Sequence, residues 1–74
     1  MTTAHISRIF HNGDITYVNT RNDCTAAMVR PDGQRFHVVF GRIDRHEFVV
    51  SRAKPSRFYG TRNGAERAAH KWIA

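Results

Sequence analysis

The apolar pattern of this chain changes period once, near Thr61, and that change fixes the class of fold it can adopt. Before it, β-prone runs of five to eight residues alternate between two faces; after it, one stripe repeats with helical spacing. Ile6 to His11 and Asp14 to Thr20 flank Asn12 and Gly13, a pair whose tolerance of positive φ suits a two-residue hairpin turn. Cys24 to Arg30 and Gln34 to Gly41 flank Pro31, Asp32 and Gly33, where Pro suits the first turn position and Gly a later one. In the last of these runs Phe36, Val38 and Phe40 share the expected core face, and Arg35, His37 and Val39 the other. After a turn over Gly41 to Arg45, Glu47 to Ser51 is expected to repeat the pattern, with Phe48 and Val50 on the core side.

Ala65, Ala68, Ala69, Trp72 and Ile73 then form a single helical stripe, with Arg62, Glu66, Arg67, His70 and Lys71 opposite. Either Thr61 caps this helix directly, or Asn63 does so with Glu66 as in a capping box. The prediction is an α+β fold. An antiparallel meander of four or five strands (about 5–11, 14–20, 24–30, 34–41 and 46–51) packs against one C-terminal helix (about 62–73), and Trp72 covers the sheet near Phe36 and Phe40.

Seventy-four residues form one domain, 1–74, with a thin core that buries only about 60 to 65 per cent of the unfolded surface. No linker, repeat or low-complexity tract divides it. A single cysteine, Cys24, excludes an intrachain disulfide, and its neighbours Ala26, Ala27 and Met28 suit a thiol packed as a small hydrophobe. No apolar run is long enough for a membrane span or a signal-peptide core, so the expectation is a cytoplasmic protein with no membrane partner.

The formal net charge is +6, from twelve Lys plus Arg against six Asp plus Glu. Residues 1 to 37 contribute +1 and residues 38 to 74 the other +5. Ten of the twelve cations are arginine, which binds phosphate or carboxylate in bidentate fashion and stacks on flat rings; GC-rich coding produces the same bias. The charge concentrates between Phe48 and Ala65, which contain Arg52, Lys54, Arg57 and Arg62, the rings Phe58 and Tyr59, and no acid. This segment is expected to be a loop joining meander to helix. Together with Arg42 and Arg45 these six residues make up the predicted partner-binding set, with one ring pinning the loop and the other exposed.

Catalysis is not expected. Asp14 and Asp32 belong to turns, Asp44 sits beside Arg42 and Arg45, Glu66 has a capping role, and no phosphate-binding glycine motif occurs. No cofactor or metal is expected either, because His5, His11, His37, His46 and His70 fall in separate elements at irregular separations from one another and from Cys24. RRM, KH, zinc-finger and helix-turn-helix patterns are absent. An open sheet face of Val39 and Val49 with Arg35 and His37 also departs from a base-stacking platform.

Two functions remain. One is a module that grips the phosphates of nucleic acid through the basic aromatic segment. The other is an accessory or inhibitor protein, of the kind encoded by phages and plasmids, that docks on an acidic protein surface through that segment or through a strand edge. The run from Thr61 to Ile73 is similar to the closing helices of many small phage and mobile-element proteins, over a fifth of the chain and without naming a family. A homodimer through a sheet edge is a further expected partner arrangement.

Overall fold

A computed structural model describes residues 6–74; His5, and the predicted start of the first strand at residue 5, lie outside the described residues. Five strands follow one another across a single antiparallel sheet: β1 (Ile6–His11), β2 (Asp14–Asn19), β3 (Thr25–Asp32), β4 (Arg35–Asp44) and β5 (Glu47–Val50). One helix, α1 (Arg62–Ile73), packs on one face of it, which is the α+β architecture expected. A sixth strand, β6 (Arg57–Tyr59), corrects the expectation of a loop between meander and helix. The reason lies in β4. Its outer edge pairs with β5 only from Gly41 to Asp44, and β6 takes the backbone groups of Phe36 to Val38 on that same edge.

Asn12 and Gly13 both have positive φ (51° and 86°), as a two-residue hairpin turn of this type requires. The β3–β4 and β4–β5 turns fall later than the sequence suggests. β3 runs on through Pro31 to Asp32, and the turn is Gly33 and Gln34, with Gly33 at φ 63°. Pro31 is tolerated because it lies beyond Val29, the last β3 residue with a partner in β2, so its missing N–H leaves no ladder position empty. β4 likewise runs to Asp44, and Arg45 and His46 make the turn at φ 53° and 70°.

That second shift reverses a face. With Asp44 opposite Glu47, the even-numbered residues of β4 oppose odd-numbered ones of β5, so Phe48 pairs with Ile43 and Val50 with Gly41, both turned away from the helix. Phe48 and Val50 are therefore not part of the helix-side core. Val49, opposite Arg42, takes that side instead.

The core consists of Tyr17, Ala27, Val29, Val38 and Phe40 from the sheet and Ala65, Ala69 and Ile73 from α1, with Ile15, Phe36, Tyr59, Ala68 and Trp72 packed around it. The alanines at 65 and 69 are fully buried and let the helix backbone approach the strands. Burial pushes the Tyr17 phenol above its ordinary pKa, and the Glu66 carboxylate adds to the effect. Trp72 meets Phe40 edge-on at 5.7 Å, and its Nε1–H donates to the Gly41 carbonyl at 3.1 Å. Phe36, expected beside it, instead pairs with Tyr59 across the strands and lies under the Arg62 guanidinium.

Both helix ends are tied down. Of the two candidate caps the helix uses Thr61, whose Oγ1 accepts from Gly64 N at 3.1 Å. At the other end Asn19, the one buried polar residue among those described, donates from Nδ2 to the Ile73 carbonyl at 2.6 Å, and Asn22 donates to that of Ala74 at 3.1 Å. Cys24 precedes β3 rather than opening it, partly buried and at φ 54°, and its carbonyl accepts from Ile43 N.

Gly41 is the most tightly enclosed of the glycines. A Cβ there would overlap the Val49 carbonyl oxygen and stand 2.9 Å from Phe48 Cε1, whereas nothing lies within 4 Å of one at Gly60. Overpacking of this kind costs about 1–3 kcal/mol. Gly41→Ala is expected to lower the unfolding free energy read from a urea melt by that amount and Gly60→Ala by less than about 0.5 kcal/mol; equal losses would refute the close approach of β4 and β5.

Candidate functional site

β6 brings one ring to each face of the sheet. Tyr59 pairs with Phe36 and Arg57 with Val38, both core-face residues, so Arg57 and Tyr59 point to the helix side. Phe58 pairs with His37 and faces away. The expectation of one anchoring and one exposed ring is met, with Tyr59 packed against the core and Phe58 47 % exposed. The predicted binding set therefore does not form one surface.

On the helix side, Lys54, Arg57 and Tyr59 converge with Lys71, Trp72, Ala68 and Phe40 around a cleft of about 370 Å³ between α1 and the 51–59 segment. The loop over 51–56 crosses the edge of the core there, and Lys54 Nζ stands 5.1 Å above the centre of the Phe40 ring. Arg57 projects from β6, and Lys71 from the last turn of the helix, where cations are favoured. No carboxylate lines the cleft. Among the described residues the ion pairs are Arg30 with Asp14 at 3.1 Å and Arg62 with Glu66 at 4.0 Å, and neither takes a cation from it.

Lys54 and Lys71 are the two lysines of the chain, and both line this cleft. An ammonium acts as a compact point charge that reorients to a phosphate, so the arrangement suits a tetrahedral anion beside aromatic surface. Lys71 and Trp72 are the site residues that sequence reasoning missed. Their signal was present: Lys71 adjoins the apolar stripe in the last helical turn, so it sits at the boundary between helix and sheet rather than on the outer face.

The remaining predicted residues lie elsewhere. Arg42 lines a second hollow on the other side of Trp72, with Thr25, Val49, Val50 and Ser51. Arg62 stands 5.6 Å over Phe36 at the start of the helix, Arg52 is exposed in the 51–56 loop, and Arg45 is exposed at the β4–β5 turn. Across the open face, Phe58 is stacked on His37 at 4.5 Å with the Arg35 guanidinium 4.2 Å from its ring centre. The open face thus shows Phe58 and Phe48 in place of the expected Val49. Among the described residues no group of three histidine, cysteine or acidic side chains is placed to hold a metal, and no helix is long and apolar enough to cross a membrane.

The two rings differ in what they support. Tyr59→Ala is expected to cost about 2–4 kcal/mol in a denaturant melt because it opens the core margin, and Phe58→Ala about 1 kcal/mol or less because half its ring is in solvent. The reverse order would place Phe58 in the core. No protein-family model, curated protein or solved structure matches this chain.

Proposed function

We propose that this chain is a small non-enzymatic protein that binds nucleic acid by its phosphates in the cleft between α1 and β6. One observation carries the reading: Lys54, Arg57 and Lys71 share a concavity with aromatic walls and no acid. Cations without carboxylate partners keep their charge available to an incoming anion, and low-dielectric walls strengthen the attraction. Arg42, in the neighbouring hollow that shares Trp72, extends the positive surface along β4. No paired carboxylates or nucleophile–base pair sits in the cleft, and a binding role needs none.

A second reading, an accessory protein docking on another protein, is favoured by a different observation. The edge strand β1 leaves Ile9 51 % and Phe10 68 % exposed, on an edge that no described strand pairs and that a further strand can join. That surface lies across the sheet from the cleft.

Neutralising about three to five phosphates predicts that log affinity for a labelled oligonucleotide falls with log salt at a slope of about −2 to −4. The triple variant Lys54→Ala, Arg57→Ala, Lys71→Ala should weaken binding at least about tenfold, while Arg45→Ala leaves it nearly unchanged. Absence of binding at about 50 mM salt overturns the proposal. A nuclease-resistant protein partner captured by wild type, and lost on Ile9→Ser with Phe10→Ser, would favour the second reading.

A further inference from the structure

We infer that the cleft takes an unpaired nucleotide, so that the ligand is single-stranded rather than duplex nucleic acid; the inference rests on the phosphate-binding reading above. A cleft of about 370 Å³ has room for one small ligand such as a single base and its phosphate. Its rings make the difference. Tyr59 and Trp72 line it together with the cations, and each retains partial exposure. Tyr59 is fixed by the pairing of β6 with β4, and Trp72 by the bond from Nε1 to the Gly41 carbonyl. That bond uses the only donor of the indole, so what Trp72 offers a ligand is its ring surface.

Tyr59 lies beside Gly64 near the start of the helix, 3.8 Å from where a Cβ on that glycine would be, and Trp72 lies in the last turn. About two turns, or about 12 Å of helix axis, separate those positions. The seam therefore has an aromatic residue toward each end and two lysines and an arginine along it. A single strand can set a base against a ring and a phosphate against an ammonium at once, and stacking of this kind tolerates any base. A duplex keeps its bases paired and stacked on one another, so it can offer the cleft phosphates alone.

The open face is a poorer place for the same ligand. Its exposed ring, Phe58, is already stacked on His37 and covered by Arg35, and the nearby Arg30 is paired with Asp14.

Trp72 is the only tryptophan in the chain, so its emission reports on the cleft directly. A labelled single strand of about 12 nucleotides is expected to bind the full chain at least about tenfold more tightly than the matching duplex at about 50 mM salt, and to change Trp72 emission on saturation. Tyr59→Leu should lower single-strand affinity about tenfold and leave duplex affinity in place. Adenosine monophosphate should compete only weakly; competition as strong as that by the strand would overturn the assignment to a strand in favour of a free nucleotide. Equal affinity for duplex, with Trp72 emission unchanged by single strand, overturns the inference and leaves phosphate binding standing. Binding of neither form overturns both.

Discussion

Everything in this small fold depends on how β4 shares its outer edge. Ten residues long, it pairs with β3 along one side and divides the other between β5 and β6, with the 51–56 loop in the gap. Gly41 sits where that division begins. Its missing side chain admits the β5 backbone and the Phe48 ring, and its carbonyl receives the indole N–H of Trp72. One position thus joins the strand ladder, the packing of the open face and the end of the helix, and a side chain there would disturb all three.

The same division creates the cleft. Were β5 to continue along the whole of β4, the sheet edge would be closed and Lys54 would have no route onto the helix side. Because the chain leaves the sheet after Val50 and returns at Arg57, it crosses the rim of the core, places Lys54 over Phe40 and delivers Arg57 and Tyr59 opposite Lys71 and Trp72. The positive charge is thereby divided between the two faces of the sheet. Both lysines collect at the cleft, with Lys54 over the buried Phe40 ring, whereas Arg35 and Arg62 lie over Phe58 and Phe36 elsewhere.

Much of the fold was legible because its signals are local. The Asn12–Gly13 turn, the alternation of Phe36, Val38 and Phe40, and the stripe of Ala65, Ala69 and Ile73 each follow from a period or from a residue that tolerates positive φ. What was not legible depended on register. Arg45 and His46 adopt positive φ without being glycine or asparagine, so nothing in their identity marks a two-residue turn, and moving the turn there exchanges the faces of Phe48 and Val49. β6 is three residues long, too short to show a period, and exists because β4 has unpaired groups to offer. The candidate site was half legible for the same reason: the segment 52–62 announces its charge, but which ring faces the helix, and that Lys71 and Trp72 complete the site, follow only from the strand pairing.

The proposed anion-binding surface lies in the seam between α1 and β6 and not on the open face of the sheet. A map of backbone and side-chain chemical shifts during titration with a short single-stranded oligonucleotide tests it most directly. The largest changes are expected at Lys54, Arg57, Tyr59, Lys71 and the Trp72 indole, with Arg30, His37 and Phe58 little affected. Changes concentrated at Arg35, His37 and Phe58, with the Trp72 indole unmoved, would contradict it.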